Sequence, residues 1–298
     1  LLKFDFLGLR YLTVISDTEK MIRKKLPDFR IESVPQDDTA TFELLKLGQT
    51  AGVFQLESSG MRQMLTTFRP ESIDDIMMAI SMYRPGPMEN IPRLIENRRK
   101  GKVEYELPQL APILDSTYGC VVYQEQVMQI FRTLASYSFG KADVVRKAIS
   151  KKKPEVIEQQ RANAIDETKA ASIFDDIVSF AGYAFNKSHA AAYAVLAYRT
   201  AFLKARYPSE FLAALMTSEL GNRAKLAEYM SEASRLGIKV LPPSVNESDV
   251  DFSSDGHNIR YGLSALKNVG IGFVNRILEE RQSSGNFRSF TDFAERMH

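Results

Sequence analysis

Arg146 and Lys147, with Lys151, Lys152 and Lys153 just beyond them, gather five cations in eight residues of a chain that is otherwise nearly charge-balanced. Read as a helix over 141–153, the stretch places Ala142, Val145, Ala148 and Ile149 on one stripe and Arg146, Lys147 and Ser150 on the opposite face. Arginine offers a forked set of donors and lysine a mobile point charge, so such a face suits a polyphosphate. A plain solvated face accounts for the same residues, because terminal lysines also complement a helix dipole. A second cluster, Asn186-Lys187-Ser188-His189, stands at the mouth of a helix expected over 190–206, with Ser188 as its N-cap. Backbone donors, the dipole and Lys187 together favour an anion there; His189 fits a structural role as well. A phosphate-binding P-loop is excluded, since it needs Gly where Asn186 and Ala181 stand. Asp5 projects from a strand-like run, and a single carboxylate cannot organise two metal ions. Arg84 lies on the corner Tyr83-Arg84-Pro85-Gly86-Pro87, which Pro85 stiffens; a structural corner with a solvent-facing arginine is the alternative.

The elements that must position these residues are mostly helices. Residues 1–7 alternate like a half-buried strand, and Gly8 ends it. Helices are expected over 11–25, 41–47, 60–68, 72–82 with Ser72 as cap, 92–100 with Gly101 as C-cap, 123–137, 154–169, 173–180, 208–220 and 222–236. The basic end of the 92–100 helix is explained by dipole compensation alone. Short strands are expected over 52–56, 238–241, 251–252 and 258–262. The helix over 190–206 is apolar nearly all round, with Arg199 and Arg206 the main exceptions on one side, so it reads as a buried spine. The turn Lys267-Asn268-Val269-Gly270-Ile271-Gly272 looks like the hairpin of helix-hairpin-helix modules, which hold DNA phosphates with backbone donors; a helix-packing corner fits equally. Lys267, Asn268, Gly270 and Gly272 are its candidate contacts.

Composition sets the bounds. The 298 residues suffice for one large or two ordinary domains, and 44% hydrophobic with 26% charged residues is typical of a globular chain. Thirty-nine Lys and Arg against 37 Asp and Glu exclude a generally polybasic protein, so any nucleic-acid contact must come from local clusters. The one cysteine, Cys120, rules out an internal disulfide framework and fits a reducing compartment; its apolar setting predicts a buried small hydrophobe. With no membrane-length apolar run and no visible signal peptide, a cytoplasmic protein without a membrane partner is expected. The start at Leu1, without Met, and the end inside a helical pattern at His298 predict a piece of a longer polypeptide.

Several stretches together resemble the C-family of replicative polymerases, the bacterial DNA polymerase III alpha subunits. They are Lys3-Phe4-Asp5-Phe6-Leu7-Gly8-Leu9, Gly52-Val53-Phe54-Gln55-Leu56-Glu57, Arg84-Pro85-Gly86-Pro87, Val122-Tyr123-Gln124-Glu125-Gln126-Val127-Met128, Arg146-Lys147-Ala148 with Lys151-Lys152-Lys153-Pro154, and Phe185-Asn186-Lys187-Ser188-His189. The resemblance implies the end of the palm over 1–30, a helical fingers domain over 31–236, and over 237–298 a small strand and helix segment leading to the helix-hairpin-helix region. The fold class is then mainly α, with a palm-derived N-terminal strand and a small α+β C-terminal part. By the same resemblance Asp5 matches one metal-binding carboxylate of the palm, for Mg2+ in the intact enzyme. The resemblance also implies that Arg146 and Lys147 contact the triphosphate of an incoming deoxynucleotide, with Lys151, Lys152 and Lys153 close by and Arg84 near the pocket. Asn186, Lys187, Ser188 and His189 form a second wall of that pocket. The family often has two arginines where Arg146-Lys147 stands. Implied partners are primer-template DNA, deoxynucleoside triphosphates, and a sliding clamp and other replisome subunits through the parent chain. The implied activity is DNA-directed DNA synthesis, with the isolated piece inactive; the alternative is a non-catalytic helical DNA-binding or clamp-interacting module.

Overall fold

The computed structural model describes residues 8–105, 107–150 and 184–298. The strand expected over 1–7 with Asp5, the lysines Lys151, Lys152 and Lys153, and the helices expected over 154–169 and 173–180 lie outside the described residues. Those described are mainly helical, with one small three-stranded sheet. They divide into two units. One takes the chain up to Leu45, Gln49–Ser58 and Ala197–His298; the other takes Lys46–Gly48 and Ser59–Leu196.

In the first unit, α1 (Arg10–Arg23) turns Val14, Ile15, Thr18 and Ile22 inward at helical spacing. α2 (Thr39–Lys46) follows, its first turn held by Asp38, whose carboxylate accepts from the Thr41 backbone N–H at 2.9 Å and from its hydroxyl at 2.7 Å. Gly52 to Leu56, expected as a strand, is a series of turns with Val53, Phe54 and Leu56 buried. Gly52 has φ +74 and Gln55 φ +61, and a Cβ at Gly52 would run into the Leu215 side chain. Left-handed backbone cannot continue a strand.

The second unit begins with α3 (Ser59–Phe68) and α4 (Ile73–Met82). Ser72 caps α4 by accepting from the Asp75 N–H at 3.1 Å, while the Asp75 carboxylate accepts from the Glu71 N–H at 2.8 Å. α5 (Ile91–Lys100) ends at Gly101 with φ +67. Its basic end does more than compensate a dipole. Arg98 pairs with buried Asp75, donates to the Tyr118 hydroxyl at 3.0 Å and to the Arg69 carbonyl at 3.1 Å, and lies over the rings of Phe68 and Tyr118. The short α6 (Ala111–Leu114) precedes α7 (Gln124–Ala135) and α8 (Phe139–Ser150). These three share one core containing Ile113, Leu114, Val127, Ile130, Phe131, Ala142, Val145 and Ile149. α8 starts earlier than Gly140 suggested, because the Ser138 hydroxyl accepts from the Lys141 N–H.

α9 (Lys187–Arg206) starts in the second unit and ends in the first. Beyond it the first unit resumes with α10 (Pro208–Ser218), nearly all buried and packed on α1, and α11 (Arg223–Arg235), capped by Asn222. β1 (Val240–Leu241), β2 (Ser253–Ser254) and β3 (Ile259–Arg260) pair in the order β1-β3-β2, parallel and then antiparallel. α12 (Ile271–Ser284) and α13 (Phe290–Met297) close a satellite core of Leu263, Val274, Ile277, Phe287 and Met297. Cys120 is buried as expected, and burial pushes its thiol up to about 11. Among the described residues no helix is long and apolar enough to cross a membrane.

Candidate functional site

Phe185 is the hub at which α7, α8, α9 and the Arg84 corner meet in the second unit. The Gln124 N–H donates to the Phe185 carbonyl and the Phe185 N–H to the Val122 carbonyl, each at 2.9 Å. That isolated parallel bridge of Tyr123 with Phe185 seats the start of α9 beside the start of α7. The Gln124 side chain extends the link both ways: its Nε2 donates to the Ala184 carbonyl at 3.1 Å, and its Oε1 accepts from Arg146 Nη1 at 3.0 Å. On the other side the Arg84 guanidinium lies 4.5 Å above the Phe185 ring. Arg84 can hold that position because Gly86, at φ +98, closes the turn between two prolines. The His189 ring stands 5.5 Å from Phe185 and 4.1 Å from Tyr193.

Arg146 and Lys147 face outward as the helical period requires, with Ala142, Val145, Ala148 and Ile149 all buried behind them. They differ in freedom. The Arg146 side chain is 15% exposed and fixed, its Nε and Nη2 donating to Asp143 at 3.0 and 2.8 Å; Lys147 is 59% exposed and meets the other oxygen of Asp143 at 2.6 Å. Both cations hold the Asp143 carboxyl below the ordinary carboxylate range, with Lys147 the larger influence. Two positive charges against one carboxylate leave the α8 face net cationic.

The mouth of α9 departs from expectation in one respect. Asn186, not Ser188, is the N-cap: its Oδ1 accepts from the His189 N–H at 2.8 Å, so Lys187, Ser188 and His189 form the first turn. The short polar side chain of Asn reaches the third helical amide as well as Ser does, and the parallel bridge at Phe185 fixes where the helix can begin. The Lys187 N–H also has a partner, the Glu125 carboxylate, at 3.1 and 3.3 Å. An anion here would therefore be met chiefly by side chains. Asn186, Lys187, Ser188 and His189 are all exposed, and the Lys187 ammonium lies 5.5 Å from the centre of the buried Tyr123 ring. Arg84, Arg146, Lys147 and residues 186–189 thus belong to one connected cluster, while Asp5, Lys151 and Lys152 lie outside the described residues.

Sequence reasoning missed Gln124, Glu125 and Asp143 as parts of this cluster. Asp143 was within reach, because it stands three and four residues before Arg146 and Lys147. Glu125 and Gln124 act on residues some sixty positions away, which no local spacing encodes.

In the first unit, Lys267, Asn268, Gly270 and Gly272 are all exposed at the start of α12. Asn268 adopts φ +67, and Gly270 is the N-cap, its carbonyl accepting from Phe273 and Val274. Nothing lies within 4 Å of where a Cβ would stand on Gly270 or Gly272, so another backbone can approach closely.

The described residues do not fit a pair of magnesium ions. None of them forms a group of three or more His, Cys, Asp or Glu placed to hold a metal, and Asp5 lies outside them.

Comparison with known proteins gives this geometry its family. The profile of the bacterial DNA polymerase III alpha subunit finger domain matches residues 11–172, and a helix-hairpin-helix motif matches 237–298. The chain is 47% identical over 313 residues to the DNA polymerase III subunit alpha of Thermus aquaticus, covering 100% of this chain and 26% of that protein. It is 43% identical to the subunits of Borreliella burgdorferi and Staphylococcus aureus, each over 100% of this chain and over 27% and 29% of theirs. The chain spans about a quarter of the length of these curated relatives. It belongs to the bacterial DNA polymerase III alpha subunit family, whose finger domain it carries.

Proposed function

We infer that this chain is the fingers part of a replicative DNA polymerase and that its cluster around Phe185 grips the triphosphate of the incoming deoxynucleotide. The observation that carries the reading is the convergence of Arg84, Arg146, Lys147 and the first turn of α9 on one connected cluster, joined through Gln124 and Phe185. In template-directed synthesis the primer 3′-hydroxyl attacks the α-phosphate, forming a phosphodiester, and pyrophosphate leaves. The residues described contribute position and charge to that step. Arg146, locked by Gln124 and Asp143, offers a fixed fork; Lys147 follows the phosphates as a mobile charge; Lys187, with Ser188 and His189, closes the opposite wall. The hairpin at Lys267, Asn268, Gly270 and Gly272 holds a phosphate of the DNA backbone through exposed helix-start amides.

The clamp, the other replisome subunits and the primer-template are partners of the parent polypeptide, which works in the cytoplasm. This chain by itself does not extend primers, because one palm carboxylate, Asp5, cannot organise the metal pair that the chemistry uses.

Arg146→Ala with Lys147→Ala, placed in the polymerase that carries this chain, tests the grip. The nucleotide KM rises at least tenfold in steady-state primer extension, while primer-template affinity holds, since a lost charge-assisted contact is worth about 1.5–3 kcal/mol. Normal nucleotide KM and normal turnover together would return α8 to a solvated face.

A further inference from the structure

The turn that joins α7 to α8 displays an aromatic ring that the core does not use. Phe139 opens α8 with 61% of its surface exposed, although the helix behind it is well buried. The Arg132 guanidinium lies 5.6 Å over the Phe139 ring. Two residues along α8, the Lys141 ammonium lies 3.8 Å over the ring of Tyr137, which is itself buried and stacked on Phe131. Arg132 and Tyr137 also line a cavity of about 590 Å³, together with Gln129, Thr133 and Ser136.

We propose that this turn is a platform for an unpaired nucleic-acid strand, with one base stacked on Phe139 and the neighbouring phosphates on Arg132 and Lys141. An exposed ring with a guanidinium over it, and a second cation on the neighbouring Tyr137 ring, suits a polyanion whose repeating unit carries a flat aromatic face. A single strand is specified because duplex bases are already stacked on one another and present no free face to Phe139. Geometry sets the direction. Phe139 and Arg146 are seven residues apart and fall on nearly the same face of α8, separated by about 10.5 Å along its axis. A short run of unpaired nucleotides spans that distance, so a strand leaving Phe139 along the helix reaches Arg146. Naming the strand as the template, still unpaired ahead of the incoming nucleotide, rests on the proposed function; the binding itself does not.

The test uses the polymerase that carries this chain and a fluorescent dT oligonucleotide of about a dozen residues, followed by anisotropy at low salt beside a duplex of equal length. Phe139→Ala weakens oligonucleotide binding about tenfold, the effect of removing one stacking platform, and leaves duplex binding unchanged. Phe139→Tyr, which keeps an aromatic face, restores the affinity. Arg132→Ala with Lys141→Ala weakens binding and makes its salt dependence shallower. The proposal is overturned if the polymerase binds no oligonucleotide, if Phe139→Ala leaves its affinity intact, or if single and double strands weaken together. None of these readouts involves a nucleotide, so they stand whether or not the triphosphate grip is correct.

Discussion

Glu125 is the residue that a phosphate would meet as an adversary. Its carboxylate accepts from the Lys187 N–H at the mouth of α9, where the helix dipole and Lys187 would otherwise serve an anion. The same oxygens that complete the first turn therefore repel an incoming triphosphate. Glu125→Gln keeps an acceptor for the amide and removes the charge. In the polymerase that carries this chain the nucleotide KM should fall about threefold at low salt, and the gain should shrink as salt rises, because a partly exposed charge acts through screened solvent. A KM that rises instead would make Glu125 a support for the start of α9 and no competitor of phosphate. Asp143 differs in kind. It sits between Arg146 and Lys147 and aims them, so it was legible from spacing on a single helix. Glu125 was not, because its partnership depends on the bridge that brings Phe185 to Tyr123.

At the scale of elements, helical period was legible and turns were not. The stripe Ala142, Val145, Ala148 and Ile149 emerged buried as read, and the long α9 was found within three residues of its expected start. The segment from Gly52 to Leu56 failed as a strand because its apolar run signals burial, which a packed turn satisfies equally well. At Gly52 the Leu215 side chain, far away in sequence, fills the place a Cβ would take. The strand expected over 251–252 formed two residues later, at Ser253–Ser254, where pairing with β3 decides the register. The Arg84 corner is a turn that the sequence did announce, with Gly86 at φ +98 and ψ −75 between two prolines. An alanine in that region costs about 1–3 kcal/mol, since a Cβ there meets its own backbone. Gly86→Ala should accordingly lower the denaturant midpoint, and in the intact polymerase it should raise the nucleotide KM by displacing Arg84 from Phe185. Loss of stability with an unchanged KM would detach Arg84 from the nucleotide.

Among the described residues, the most deeply buried cation of an ion pair belongs to the first unit. Lys204 is 2% exposed; its ammonium donates to the Ala51 carbonyl at 2.7 Å and to Glu232 at 2.5 Å, and Arg235 braces the same carboxylate at 2.8 Å. The set ties the 49–58 segment, α9 and α11 together within the first unit. In sequence Lys204 passes for a dipole-friendly residue in a last turn, since its carboxylate lies 28 positions away on another helix. Burial alone would raise the pKa of Glu232, but the hydrogen bonds from Arg235 and Lys204 outweigh it and hold the carboxyl at about 2, against an ordinary 4.5. A depressed folded-state pKa adds stability that is complete above the unfolded value and is lost as pH falls toward the folded one. Lys204→Ala should cost about 3 kcal/mol near neutral pH, as removing one partner of a buried pair does. Because the variant holds Glu232 less tightly, the difference between the two proteins should narrow as pH drops from about 4.5 toward 2. Urea unfolding of both proteins at a series of pH values measures that difference directly. A gap that stayed constant across the window would mean that Lys204 stabilises by packing and by its bond to Ala51, with the carboxylate a bystander.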